Sequence, residues 1–287
     1  MQNPNPADPA TPPAGAPGAA TGARTGPEIG PDIGPDHDPD SGAGPGAVSD
    51  PVPGRAAAAT LRLVSYNIRK CLGLDLRRQP RRILKVVEAL GADIAVLQEA
   101  DRRYPPRPAA LPHFVLDEAG WSIVDLGGAG SLGWHGNAVI WRGAGIIETA
   151  RDHIALPGLE PRGAVRVEFA TPLGPLRVIG AHLGLVASYR QQQVRQICRV
   201  MAALPEMPTV WAGDFNDWSR QNRLERWAPG MRFLPGLPSY PAPSPIGALD
   251  RIALSPGLRA AGHGVYDARP AHLASDHLPV WVDLAWA

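Results

Sequence analysis

Apolar residues alternate with polar ones, or form short runs, in several segments that this spacing predicts to be β-strands. The segment TLRLVSYN at residues 60–67 alternates, whereas DIAVLQ at 93–98 is a continuous apolar run of the kind buried inside a sheet. Segments of similar character recur along the chain at residues 137–141, 164–169, 176–179, 209–212, 249–254 and 280–284. Strands are therefore predicted over most of the chain beyond residue 60.

Helical spacing is clearest in two segments. The first helix is predicted at residues 78–90, where Gly91 follows as a stop signal. The second is predicted at about residues 188–204 and ends at Pro205, and its arginines at 190, 195 and 199 are interpreted as a solvated face. Many strands with only about four helices favour α/β layers built on sheets over a helical bundle or a regular βαβ barrel.

The N-terminal part of the chain has a different composition. Residues 1–54 hold 13 of the 33 prolines, 10 of the 32 glycines and a net charge of −6, which leaves +7 for the rest. The same segment contains few large apolar residues, so it cannot bury enough apolar surface to offset the conformational entropy lost on folding. We therefore predict a disordered Pro/Gly-rich acidic tail over residues 1–56 and one folded domain over residues 57–287.

Cysteine content and hydropathy bear on the compartment. The two cysteines, Cys71 and Cys198, lie far apart in sequence and are interpreted as reduced core thiols. No segment reaches the roughly 18 apolar residues that a membrane span needs, and the start of the chain lacks a signal-peptide pattern. We expect a soluble, cytoplasmic protein without a membrane span.

Polar residues follow the ends of several predicted strands. They are Asn67, Glu99, His182, Asp214 with Asn216, Asp250, and Asp276 with His277. Strand ends are where sheet proteins commonly assemble sites, because the rigid scaffold fixes the side chains. Each residue also has a simpler interpretation: Glu99 as a solvated residue, Asn67 as a turn residue, and GDFND as an Asx-turn.

The order of these motifs carries a family resemblance. The chain contains SYN at 65–67, LQEA at 97–100, GNAVIW at 136–141, AHLGL at 181–185, GDFN at 213–216, LDRI at 249–252 and SDHLPV at 275–280. In this order the motifs resemble the endonuclease/exonuclease/phosphatase superfamily over residues 60–284. The resemblance implies a four-layer α/β sandwich, with two packed mixed β-sheets flanked by helices and a site at one edge of the sheets.

A metal site is expected from both the residue types and the resemblance. Glu99 is a hard oxygen ligand suited to Mg²⁺ or Mn²⁺, which take only one or two carboxylates from a protein. The resemblance implies that Asn67 and Asp276 complete or flank this site. The chain departs from several nuclease members at Arg69, where they carry an acidic residue, so a second carboxylate there is not expected.

The remaining motif residues imply roles in phosphoester hydrolysis. Asp214 is the candidate general base, and Asn216 positions it or donates to the phosphate; strand alternation would place both on one side if the strand continued. The resemblance points His277 at the scissile phosphate with Asp250 as its carboxylate partner, and makes His182 a second imidazole facing the phosphate.

Other candidates are open between binding and structural roles. Asn137 lines the pocket or sits at the start of a strand, and Arg162 neutralises phosphate or solvates a strand start. Trp134, His135 and Trp218 stack on a base or lipid headgroup, or simply pack.

We predict a monomeric divalent-metal-dependent phosphohydrolase, specifically a phosphodiesterase. The expected partner is a phosphate-ester substrate, which is a small phosphodiester, a phospholipid or nucleic acid. A DNA endonuclease, exonuclease or repair enzyme is one alternative. A catalytically inactive binding module is another, although Glu99, Asp214 and His277 are all present.

Overall fold

The structure is a computed structural model that describes residues 60–102, 107–128, 130–219 and 223–287. The predicted tail, residues 1–56, lies outside the described residues. Within the described ranges, no helix has the length and apolar character needed to cross a membrane.

Twelve strands and five α-helices occur in the described residues. In chain order they are β1 (Leu61–Asn67), α1 (Pro80–Ala89), β2 (Ile94–Gln98), α2 (His113–Glu118), β3 (Ser122–Ile123), β4 (Ala138–Trp141), β5 (Ile147–Ala155), β6 (Gly163–Thr171), β7 (Gly174–His182), α3 (Ala187–Ala202), β8 (Thr209–Asp214), α4 (Arg223–Trp227), β9 (Arg232–Phe233), β10 (Asp250–Leu254), β11 (Leu258–Val265), α5 (Ala271–Ala274) and β12 (Val280–Trp286).

The strands form two mixed sheets of six strands each. The first has the order β11-β12-β1-β2-β4-β3 and the second β5-β6-β7-β8-β10-β9. In the first sheet the parallel pair β1 and β2 ends with Asn67 opposite Gln98. In the second sheet His182 of β7 lies opposite Asp214 of β8, which lies opposite Asp250 of β10. This register puts three of the predicted site residues in one row across adjacent strands.

The sheets pack face to face around an apolar interior, with helices outside. Leu63 and Val96 of the first sheet share one buried cluster with Val178 and Val210 of the second. Helix α1 packs its apolar stripe on the outer face of the first sheet, and α3 packs on the outer face of the second. The predicted four-layer α/β sandwich is confirmed.

The predicted elements agree with the structure where an apolar pattern existed. Helix α1 starts with Pro80 at its first position, where the missing N–H costs nothing. Strands β5 and β11 were not predicted: β5 is an edge strand with mostly exposed side chains, and β11 is rich in Ala and Gly. Neither strand carries the alternation that identifies a half-buried strand.

Candidate active site

A cavity of about 500 Å³ opens where strands of both sheets end. Eight of the ten residues predicted for the site line it: Asn67, Glu99, Arg162, His182, Asp214, Asn216, Asp276 and His277. The other two, Asp250 and Asn137, lie outside the lining and are buried. Residues more than 200 positions apart in sequence therefore share one cavity.

Asp214, the last residue of β8, lies at the centre of this cavity wall and is only 2% exposed. Its Oδ2 accepts a hydrogen bond from Asn67 Nδ2 at 3.0 Å, which joins the two sheets. The Nε2 atoms of His182 and His277 lie 3.4 and 3.8 Å from the same oxygen. One carboxylate oxygen is thus surrounded by an amide and two imidazoles.

Gly213 allows this placement. A Cβ atom at Gly213 would overlap the carbonyl oxygen of Ala181 on the neighbouring strand β7. Only glycine therefore lets β7 and β8 approach closely enough to put His182 beside Asp214.

A buried carboxylate fixes the orientation of His277. Asp250 Oδ2 accepts from His277 Nδ1 at 2.8 Å and from Ser239 Oγ at 2.6 Å. Because Nδ1 donates to this carboxylate, Nε2 of the same ring points toward Asp214 and the cavity. Asp250 therefore acts from behind the wall, as a positioning residue for the imidazole.

The pKa values of Asp214 and His277 are shifted upward. Burial and the neighbouring Asp250 carboxylate raise the pKa of Asp214 to about 7, despite the opposing effect of the His277 charge. Burial alone would lower the pKa of His277, but the charge and hydrogen bond of Asp250, together with the charges of Asp214 and Asp276, outweigh it and raise this pKa to about 9. Between pH 7 and 9 the site therefore holds an Asp214 carboxylate and a His277 cation.

The pKa of the second imidazole, His182, is shifted in the opposite direction. Burial, followed by the positive charge of Arg162, lowers the pKa of His182 well below its usual 6.5. His182 is therefore neutral near pH 7. The two imidazoles of the cavity thus differ in charge because only His277 has a carboxylate behind its ring.

The other side of the cavity carries carboxylates that are paired with cations. Glu99 follows β2 and has a positive φ of 54°, and the Lys70 ammonium contacts its Oε2 atom. Asp276 Oδ2 lies 3.4 Å from Nε of Arg69. Asn67 Oδ1 accepts from the backbone N–H of Arg69 at 3.1 Å.

The donor atoms on this side fit a hard divalent cation. Glu99, Asp276 and Asn67 Oδ1 are oxygen donors, and all three residues line the cavity. Asp214, Asp250 and His277 also bring ligand-type atoms within 4.8 Å of one another. In that cluster, however, His277 Nδ1 and Asp250 Oδ2 already bind each other. Glu99, Asp276 and Asn67 therefore offer the donor chemistry of a Mg²⁺ or Mn²⁺ site, and their role as metal ligands stays a prediction.

The remaining candidates differ in position. Asn137 is fully buried, and its amide donates to Gly163 O at 3.0 Å, so its side chain joins two strands behind the lining. Arg162 does line the cavity and pairs with Glu160 at 2.7 Å. Direct contact of either residue with substrate stays a prediction.

Strand geometry does not continue to Asn216. Strand β8 ends at Asp214, and Asn216 has a positive φ of 50°. Its backbone N–H donates to Asp214 Oδ1 at 3.0 Å, while its side-chain amide donates to Leu183 O at 2.9 Å. The residue therefore braces Asp214 through an Asx-turn rather than through strand alternation.

Arg190 of α3 was wrongly interpreted as part of a solvated face. It is buried, and its Nη1 donates to Leu185 O at 2.6 Å while Nη2 lies 3.6 Å from Asp217 Oδ1. A sequence signal existed: Arg190, Gln193, Val194 and Ile197 are spaced at i, i+3, i+4 and i+7, which is one helix face. Two polar residues on an apolar face indicate buried hydrogen-bonding roles.

Comparisons with known proteins identify similar sequences. The model of the Endonuclease/Exonuclease/phosphatase family matches residues 64–277. The Escherichia coli K12 protein YbhP, itself uncharacterized, is 27% identical over 253 residues, which cover 81% of this chain and 99% of YbhP.

Solved structures share the fold. An endonuclease/exonuclease/phosphatase from Beutenbergia cavernae is 22% identical with a TM-score of 0.61, over 79% of this chain and 72% of that one. TDP2 of Danio rerio, crystallised with a single-strand DNA product, is 14% identical with a TM-score of 0.61, over 79% of this chain and 99% of that one.

Proposed function

Because the chain belongs to the endonuclease/exonuclease/phosphatase family, we propose that it is a divalent-metal-dependent phosphodiesterase. The observation that carries the proposal is Asp214, whose Oδ2 lies within 3.8 Å of Asn67, His182 and His277 in the cavity that Glu99 also lines. A base, a cation and a hard-ligand carboxylate in one cavity are what hydrolysis of a phosphoester needs.

Asp214 is proposed as the general base. Its carboxylate takes a proton from a water molecule as that water attacks phosphorus, and the bond from phosphorus to the leaving oxygen breaks. The leaving oxygen departs as an alcohol after it gains a proton from solvent. A base with a pKa of about 7 combines a deprotonated state near neutral pH with useful basicity.

His277 and its neighbours are proposed to hold the phosphate. The cationic His277 ring, kept protonated by Asp250, stabilises negative charge on the phosphoryl oxygens, and neutral His182 contributes a hydrogen bond. Mg²⁺ or Mn²⁺ held by Glu99, Asn67 and Asp276 would polarise a phosphoryl oxygen and steady the leaving group.

The charge of the cavity favours a diester over a monoester. Its lining contains five carboxylates (Glu99, Asp101, Glu160, Asp214 and Asp276) against five cationic side chains (Lys70, Arg102, Arg107, Arg162 and the protonated His277), so it carries no excess positive charge. A phosphodiester carries one negative charge, whereas a monoester near neutral pH carries almost two. A lining without excess positive charge therefore accommodates the singly charged substrate more readily.

We also propose a cytoplasmic location. Cys71 and Cys198 are free thiols, and Cys71 is fully buried. Unpaired cysteines are the usual state in reducing compartments.

Hydrolysis of bis-(p-nitrophenyl) phosphate, p-nitrophenyl phosphate and supercoiled DNA, each with Mg²⁺, Mn²⁺ or EDTA, tests the proposal. We expect the soluble diester to be cleaved faster than the monoester, and EDTA to abolish turnover. Asp214→Asn should lower kcat by roughly 10³-fold, the size expected for a lost general base, with metal affinity by calorimetry nearly unchanged.

Two further variants complete this test. Glu99→Gln should weaken metal binding itself, because it removes the principal carboxylate ligand. The matched control is Asp152→Asn on β5, an exposed carboxylate outside the cavity lining, which should keep wild-type rates. Full activity in Asp214→Asn, or turnover that survives EDTA, would contradict the assignment.

A further inference from the structure

Four exposed apolar side chains lie on three loops at the cavity mouth. Leu159, Leu185, Val186 and Trp218, here called the apolar fringe, are 81%, 64%, 48% and 58% exposed. Leu185 and Trp218 line the cavity, and Leu159 directly precedes the lining residue Glu160. Single exposed apolar residues are ordinary on protein surfaces, but a group of them around a cavity marks an interaction surface.

Buried side chains of α3 hold the fringe loops together. Gln193 Nε2 donates to Pro157 O at 2.8 Å, and Gln193 Oε1 accepts from the Gly184 N–H at 2.8 Å. Arg190 binds Leu185 O at 2.6 Å and lies 3.6 Å from Asp217. The helix therefore fixes all three loops, so that the apolar side chains are presented at defined positions.

A row of aromatic side chains connects the apolar fringe with the His277 ring. The Trp218 ring packs on Gly247, where an added Cβ would lie 2.9 Å from it, and makes an edge contact with Tyr240 at 6.0 Å between ring centroids. Tyr240 in turn lies 4.7 Å from the His277 ring. An apolar group attached to a phosphate at His277 therefore has a continuous apolar surface leading outward.

Basic side chains occur at the same mouth. Arg102 is exposed, and Arg107 contacts His135 Nδ1 at 3.0 Å; both line the cavity. Within the part of the chain that the structure describes, neither forms an ion pair with a carboxylate. Their charge is complementary to the phosphates of lipid headgroups.

We propose that the apolar fringe docks on a phospholipid surface and that the substrate is the phosphodiester headgroup of a lipid in that surface. The substrate part of this inference rests on the function proposed above. Leucine and valine gain free energy by leaving water at a lipid boundary, and tryptophan favours that boundary because it is part apolar and part polar. Nucleic acid fits less well, because Leu159, Leu185 and Val186 offer neither stacking nor hydrogen bonds.

Co-sedimentation of the full chain with vesicles of 70% POPC and 30% POPG tests the docking. The wild type should bind, and the combined variant Leu159→Ser, Leu185→Ser and Trp218→Ser should bind at least about tenfold more weakly, since burial of each side chain contributes favourably. The matched control Phe114→Ser with Ile147→Ser removes two exposed apolar residues outside the cavity lining and should bind like the wild type.

Folding of the variants is checked by thermal melting, and Leu159→Ser alone gives a second reading. Leu159 lies outside the cavity lining, and its loss should weaken vesicle binding in the same direction by a smaller factor. Equal loss in the fringe and control variants would overturn the inference. The inference would also be overturned if a labelled single-stranded oligonucleotide bound in a Trp218-dependent way while vesicles did not bind. Self-association of the wild type that disappears in the fringe variant would overturn it as well.

Activity measurements distinguish a failure of the docking proposal from a failure of the proposed phosphodiesterase function. Wild-type protein should cleave POPG in vesicles as well as soluble bis-(p-nitrophenyl) phosphate. Cleavage of the soluble diester without vesicle binding would contradict the docking proposal and would still support the phosphodiesterase proposal. Fringe-dependent vesicle binding without cleavage of either diester supports the docking surface and overturns the lipid substrate together with the phosphodiesterase.

Discussion

The two sides of the cavity are built in opposite ways. On the buried side, the side chains of Asp214, Asp250 and His277 are 2%, 0% and 7% exposed and bound to neighbours by hydrogen bonds or close charge contacts. On the other side, Glu99 and Asp276 are 28% and 30% exposed and pair with flexible cationic side chains. The buried side is therefore rigid, as its proposed role in proton transfer requires, whereas the proposed metal ligands lie on the more exposed side.

Backbone placement explains the difference. His182, Asp214 and Asp250 form a row at the ends of hydrogen-bonded strands. On the open side, Lys70 and Glu99 lie in loops with positive φ angles of 57° and 54°. Such conformations cost free energy in residues other than glycine and often occur at functional sites. Strand register therefore sets most of the buried side, where Asn216 is a further residue with a positive φ, whereas loop conformations set the open side.

After the loss expected for Asp214→Asn, the next largest effect comes from breaking the buried side at Asp250. Asp250→Asn removes the carboxylate that keeps His277 cationic and oriented, so we expect kcat to fall by roughly 10²- to 10³-fold. The measurement is kcat on the soluble diester, together with the His277 pKa by NMR, which should fall below about 9. Ser239→Ala removes only a neutral hydrogen bond to the same carboxylate and should cost much less.

The Asp250→Asn variant should also change how the free energy of unfolding depends on pH. The pKa of His277 in the folded state, about 9, lies above its unfolded value near 6.5, so its stabilising contribution is complete below 6.5 and disappears as pH rises through 9. The wild-type free energy of unfolding should therefore fall between pH 7 and 9, and this slope should flatten in Asp250→Asn. An unchanged slope would show that Asp250 does not control the His277 charge.

A smaller effect is expected at Arg190, which supports the buried side from α3. Arg190→Met removes the cation beside Asp217, which keeps its hydrogen bonds from Ser219, and leaves two backbone carbonyls without this donor. The free energy of unfolding should fall by about 2 to 3 kcal/mol. Chemical denaturation measures this. Arg199→Met, on the exposed face of the same helix, should change it by less than about 0.5 kcal/mol. Similar values for the two variants would restore the solvated-face interpretation.

The sequence predicted the fold and the residues that line the cavity better than it predicted the contacts between those residues. Strand-end motifs identified Asn67, Glu99 and Asp214, because apolar strands and the polar residues that follow them are local features. The pairing of Lys70 with Glu99 and of Ser239 with Asp250 depends on where distant loops meet, which no local pattern encodes. Arg190 was misplaced because a charged residue counts as solvent-facing unless its neighbours on the same face are considered.

The smallest effect is expected on the open side, at Lys70. An ion pair whose partners are 30% and 28% exposed is screened by water and contributes only about 0.2 to 1 kcal/mol. Lys70→Met frees Glu99 from this competitor, so Mg²⁺ affinity measured by calorimetry should rise by roughly 2- to 5-fold. Lys85→Met on α1, outside the cavity lining, should leave it unchanged. If Lys70→Met weakens Mg²⁺ binding instead, the lysine helps to position Glu99, and the open side is as preorganised as the buried one.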